Sequence, residues 1–346
     1  MPLRTLLLVL ALAPVAAWGL TKDDLREDAP QVYTVKKGDT LWDISAKFLD
    51  NPWRWPDLWD SNPYISNPDL IYPGDRLRLY LENGEPRLAR QRVERLSPKV
   101  KSAEAQRLEA ITTIDRSVAL PYVDRYGLLP KGISPETVGG HLVAGAKERV
   151  MYASGDEVFV RLGDQGDEDH RFWYTFHKPQ PVYDPASGDL LGYLLEHTGV
   201  LHVAGPAGDE GLFRANVQRT YAPIEQGDRL YPGKAAAAET RYMPKPAPEV
   251  AGQVVRHVGG ESIVGEGQMV VLNLGARDGL EKGSVLIVRT DKRVVEDPRS
   301  GEDTRLPGRR KGVVMIIQTG QRLSFGLIMQ NRLPIEAGDR VVNPEG

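Results

Sequence analysis

Six histidines carry most of the acid–base and metal-binding potential of this chain: His141, His170, His177, His197, His202 and His257. Their spacing argues against both uses. There is no His-x-His and no His-Glu-x-x-His, the patterns that bring two imidazoles onto one zinc ion. His197 and His202 stand five apart in a strand-like stretch, which places them on opposite faces. The histidines therefore read as structural or solvated. The chain contains no cysteine, which removes thiol nucleophiles, disulfides and cysteine-ligated zinc together. No Gly-x-Ser-x-Gly elbow occurs, and Glu261-Ser262 is a two-residue coincidence. A glycosidase would need an acid on a helical scaffold, and no helical domain of that size is expected after residue 110. The expectation is no catalytic residue, no metal site and no cofactor.

The elements follow from composition and pattern. At 346 residues the chain should hold two or three domains. A formal net charge of −3 gives no electrostatic case for nucleic acid as a partner. Thirty-five glycines and 26 prolines make turns frequent and helix minor. Arg4, the apolar run Leu6 to Ala13, Pro14 and then small residues form a signal-peptide pattern over 1–19. Val15-Ala16-Ala17 and Ala17-Trp18-Gly19 both fit as cleavage sites, and an uncleaved anchor is the other reading. After cleavage no membrane span is expected, and the protein should reside in a periplasm.

Residues 31–80 read as a small α+β unit in the order βααβ. Tyr33-Thr34-Val35 alternates as a strand and Lys37-Gly38-Asp39 turns. Thr40 caps a helix carrying Leu41, Ile44, Ser45 and Phe48 at helical spacing. A second helix is expected from Trp55 to Ser61, with Leu58 and Trp59 inward. Tyr72-Pro73-Gly74-Asp75 then leads into a strand from Arg76 to Tyr80. The front motif Tyr33 to Ile44 and the back motif Asn67-Pro68-Asp69-Leu70-Ile71-Tyr72-Pro73-Gly74-Asp75-Arg76-Leu77 resemble a LysM domain. That resemblance implies binding of N-acetylglucosamine-containing glycans such as peptidoglycan, in a shallow groove between two loops. Here these are Gly38, Asp39, Thr40 and Leu41, and Asn67, Pro68, Asp69, Leu70 and Ile71. Loop backbone groups near Gly38 and Asp69 would bind an acetamido group, while Leu41, Leu70 and Ile71 would give apolar contact. Core packing for Leu41 and Ile71 is the competing reading. Four of the six tryptophans fall between positions 42 and 59. They form either a sugar-stacking platform or, the favoured reading, an enlarged core.

Residues 81–110 read as a charged, partly helical linker, and strand-like pieces should begin near Ile111. The remainder reads as a duplication. Gly140-His141-Leu142-Val143 matches Gly252-Gln253-Val254-Val255, and Gly155 to Gly163 matches Gly267 to Gly275. Asp184-Pro185-Ala186-Ser187-Gly188 matches Asp297-Pro298-Arg299-Ser300-Gly301. Pro223 to Arg229 matches Pro334 to Arg340. The offset stays near 112, which points to two copies, 111–233 and 251–346, divided by an Ala/Pro linker over 234–250. Short β-branched runs between turns make each copy a small β-barrel or sandwich. The turn Asn273 to Gly283 resembles the C-terminal domain of flagellar assembly protein T. The whole order, signal peptide then LysM domain then β-rich half, resembles the LysM-containing secretin-associated proteins of type IV pili. That implies a non-enzymatic adaptor holding the outer-membrane secretin to peptidoglycan. A general cell-wall scaffold, an adaptor of another envelope machine, or an accessory of a peptidoglycan hydrolase are the alternatives.

Overall fold

The structure is a computed structural model. It describes residues 20–60, 71–91, 112–114, 116–136, 139–163, 171–233, 242–260, 263–291, 293–306 and 308–344. The expected signal peptide 1–19, residues 61–70 and most of the charged linker lie outside the described residues. The chain divides into two compact units, 1–111 and 112–346.

The first unit contains β1 (Val32–Thr34), α1 (Leu41–Phe48), α2 (Trp55–Asp60), β2 (Arg76–Glu82) and β3 (Glu85–Gln91). Helix α1 starts where the sequence says it should. Asp43 N donates to Thr40 Oγ1 at 3.1 Å, and Thr40 N and Oγ1 donate back to Asp43 at 3.1 and 2.7 Å. This reciprocal cap satisfies N–H groups that the first turn leaves without partners. Leu41, Ile44 and Phe48 lie on the inward stripe and meet Leu58, Ile71 and Leu77 in one core.

Two segments enlarge this unit beyond 31–80. Leu20, Leu25 and Ala29 pack into or against the same core, and Arg54 pairs with Asp24 at 2.7 Å. Residues 85–91, expected at the start of the linker, instead form β3. They pair with β2 from Arg76↔Gln91 to Glu82↔Glu85. The cause is the Asn83-Gly84 turn, with φ of 53° and 88°, the two-residue geometry that matches strand twist. Leu88 of β3 is fully enclosed.

The second unit opens with α3 (Arg116–Arg125), where strand was expected, and β4 (Tyr126–Pro130). Then follow β5 (Gly140–Gly145), β6 (Met151–Tyr152), β7 (Glu157–Leu162), β8 (Phe172–Phe176) and β9 (Gln180–Tyr183). The first copy ends with β10 (Leu190–Pro206), β11 (Leu212–Thr220), β12 (Ile224–Glu225) and β13 (Arg229–Gly233). The second copy has β14 (Lys245–Pro246), β15 (Ala251–His257), β16 (Met269–Leu272), β17 (Ser284–Arg289), β18 (Arg293–Glu296) and β19 (Asp303–Leu306). It closes with β20 (Arg310–Thr319), β21 (Ser324–Asn331) and β22 (Arg340–Val342).

Pairing shows the duplication directly. In the first copy the ring runs β5-β7-β11-β10-β8-β13 and returns to β5. In the second it runs β15-β16-β21-β20-β17-β22 and returns to β15. Each is a six-stranded barrel with the same strand order, and closure removes the edges of the sheet. Even minor contacts recur. Tyr152 pairs with Ile224 in the first barrel, and Val264 bridges to Ile335 in the second. Leu142 N donates to Asp228 O, and Val254 N to Asp339 O, both at 2.8 Å.

One turn recurs throughout. In Lys36 to Asp39, Tyr72 to Asp75, Ala153 to Asp156, Glu225 to Asp228 and Glu336 to Asp339, the aspartate accepts from the first residue's N–H. The glycine before it sits at φ between 89° and 95° in every case, a region that L side chains avoid. The end of the Ala/Pro stretch is also structured. Ala247 enters the second core, and Lys245 N donates to Gly283 O at 3.0 Å. Residues 234–241 lie outside the described residues.

Candidate glycan-binding site

The two loops singled out in the sequence are brought together by backbone bonds. Val35 N donates to Asp75 O at 2.9 Å, and Gly74 N donates to Val35 O at 2.8 Å. The turn Lys36 to Asp39 therefore leaves the sheet beside the turn Tyr72 to Asp75, and Ile71 enters just ahead of it. Lys36, Lys37 and Gly38 are exposed, with Gly38 at φ 95°. Asp39 has a structural task. Its carboxylate accepts from Lys36 N at 2.7 Å and Tyr33 Oη at 2.9 Å. Burial, with that bond to Asp39, pushes the Tyr33 hydroxyl up to about 12. The turn is thus rigid and presents its backbone, rather than its carboxylate, to solvent.

The remaining predicted residues separate into two groups. Thr40 is buried and committed to the helix cap. Leu41 and Ile71 are fully enclosed, so both belong to the core and neither offers surface to a ligand. Of the two readings of these side chains, their burial favours core packing over apolar contact with a sugar. Asn67, Pro68, Asp69 and Leu70 lie outside the described residues. Trp42, Trp53 and Trp55 are buried, in keeping with the enlarged core rather than a stacking platform.

A model of the LysM domain family matches residues 33–79. Residues 33–79 are a LysM domain. Curated relatives each match a comparably small part of the chain. An uncharacterised protein YqbP of Bacillus subtilis is 38% identical over 63 residues, 15% of this chain and 29% of that protein. The potassium binding protein Kbp of Escherichia coli is 44% identical over 52 residues, 15% of this chain and 35% of that protein. An uncharacterised protein of Deinococcus radiodurans is 40% identical over 60 residues, 17% of this chain and 23% of that protein. The matches thus span about a third or less of each relative's length. The LysM domain implies binding of N-acetylglucosamine-containing glycans, and such domains are typical of cell-wall-associated proteins.

The barrels carry polar clusters outside the LysM domain. In the first, buried Asp228 bonds His177 Nδ1, Thr198 Oγ1 at 3.0 Å and Glu225 N at 3.2 Å. In the second, the equivalent Asp339 pairs with buried Lys311 at 2.6 Å. The same aspartate therefore closes the same turn in both barrels, with a different partner each time. This use is structural. His197 is buried, bonds Asp124 O through Nδ1 at 2.9 Å and stacks on Tyr174 at 4.1 Å. His257 is buried as well. Among the described residues no three metal-capable side chains converge. No helix among them is long and apolar enough to cross a membrane.

Proposed function

We propose that the protein is a non-enzymatic adaptor of the cell envelope. Its LysM domain grips peptidoglycan, and its tandem barrels engage a protein complex in the periplasm. The observation that carries this reading is the stapling of Lys36–Asp39 to Tyr72–Asp75 within a matched LysM domain. The contact set comprises the exposed backbone of Lys36 to Asp39 together with 67–70. An acetamido sugar finds N–H and C=O groups there without ordering long side chains. The barrels offer broad β surfaces suited to protein contact. The order of domains makes a type IV pilus secretin the partner to test first, and a general wall scaffold the second reading.

The test is pelleting with purified peptidoglycan. The chain from residue 20 should sediment with the wall, as should residues 20–91, while residues 112–346 should remain in the supernatant. Asp69→Ala with Leu70→Ala should weaken pelleting while shifting unfolding by under ~0.5 kcal/mol. Equal pelleting by 112–346 would sink the assignment of glycan binding to the LysM domain. Envelope pull-downs on the full chain that enrich no secretin would dismiss the pilus reading and leave the scaffold.

A further inference from the structure

Each barrel extends an arm, and only one of the two arms is seated. In the first barrel the arm is β9 with the leading half of β10, joined by β4 as a third strand. It lies on the second barrel. Arg256 Nη2 donates to Gln180 Oε1 at 2.6 Å, and Asn273 Nδ2 donates to Asp184 Oδ2 at 2.9 Å. At Gly192 a Cβ would stand 3.2 Å from Leu323 Cδ1, so the surfaces touch closely. Asp184 serves both sides of the joint, because its Oδ1 also accepts from Ala186 N and Ser187 N within its own turn.

The second barrel has the same arm, β18 and β19, registered from Arg293↔Leu306 to Glu296↔Asp303. Its turn is built identically. Asp297 Oδ1 accepts from Arg299 N at 2.8 Å and Ser300 N at 3.2 Å. Asp297 Oδ2, the atom equivalent to the one that reaches Asn273, has no partner among the described residues. This arm pairs only with itself among the described strands, and Val294 is 52% exposed. A lone two-stranded hairpin is marginal in water.

The first barrel supplies a matching seat. Register equates Leu142 with Val254, and so Ala144 with Arg256 and Arg161 with Asn273. On the arms, Arg293 stands where Gln180 does and Asp297 where Asp184 does. The long residue has changed sides: Arg256 of a barrel meets Gln180 in the seated joint, whereas Arg293 of the free arm would face the small Ala144 in the equivalent joint. The carboxylate of Asp297 would face exposed Arg161, whose Nη1 donates to Glu210 O at 3.0 Å, in place of a neutral asparagine. We propose that the β18–β19 arm seats on the first barrel of a second copy of this chain, repeating between molecules the joint already present within one. The contact is heterologous, so it propagates head to tail into a ring or an open row. It stands apart from the glycan-binding reading and survives its failure.

The test is sedimentation equilibrium of the chain lacking residues 1–19, from ~1 to ~200 µM, the range in which a small polar joint associates. The weight-average mass should rise above one chain with concentration and fall back with added salt. Arg161→Asp should weaken association ~10-fold, as should Asp297→Asn, which keeps the turn's Oδ1 acceptor. The natural absence of cysteine allows a second readout. A mixture of Arg161→Cys and Asp297→Cys chains should form a disulfide-linked pair on mild oxidation. A chain that stays monomeric across the range overturns the proposal, as does association that persists when 293–306 is replaced by a short glycine–serine link.

Discussion

Acidification should loosen the second unit through one histidine. His197 lies on β10, sealed between Tyr174 and the backbone at Gly127. Burial drags its pKa from the ordinary 6.5 down to about 4, with the Asp124 carbonyl pulling weakly the other way. The unfolded chain, with a histidine near 6.5, therefore takes the proton first as pH falls. Stability from this residue is complete above about pH 7, declines below 6.5 and reaches its floor below 4. The linkage relation gives a loss of about 2 kcal/mol between pH 7 and pH 5, and about 3 kcal/mol by pH 4. Urea unfolding of residues 112–346 at pH 7, 6 and 5 measures this, alongside His197→Phe, which keeps a flat ring and cannot titrate. The variant should be less stable at pH 7, having lost the bond to Asp124 O, yet should lose about 2 kcal/mol less on going to pH 5. Should Phe not be tolerated, the His197 ring protons in a proton NMR titration give the same answer, with a midpoint near 4. Equal pH losses in the two chains, or a midpoint near 6.5, would refute the reasoning.

Three further outcomes follow from the packing. Lys311→Met strands the Asp339 carboxylate inside the second barrel and should cost ~3–5 kcal/mol, lowering Tm by roughly 6–20 °C in calorimetry of 112–346. Leu88→Ala should destabilise the LysM unit by ~2–5 kcal/mol in thermal melts of residues 20–91; a negligible effect would show that β3 is an appendage. Gly38→Ala forces a side chain into φ 95° and should cost ~1–2 kcal/mol while weakening peptidoglycan pelleting.

Local chemistry in the sequence was enough for the front of the LysM domain. Thr40 followed by Asp43, with Leu41, Ile44 and Phe48 on one stripe, dictates a capped helix wherever the chain goes. The repeat offset near 112 likewise required two copies of one architecture, because equal patterns of turns and β-branched residues have equal solutions. Asn83-Gly84 is a local hairpin signal, but the reading of 81–110 as a charged linker passed over it. Tertiary structure decided the rest. Leu41 and Ile71 look identical to contact residues in a string of letters, and only the closing of the small core around them removes them from the surface. The helix α3 persists around Pro121, where local propensity argues against it. Ring closure between β5 and β13, and between β15 and β22, joins strands that no local signal pairs. The partner chosen by each buried aspartate, Thr198 and His177 for Asp228 but Lys311 for Asp339, depends on residues dozens of positions away. Periodicity and caps act over a few residues and survive in the sequence, whereas burial and pairing at long range are properties of the whole chain once folded.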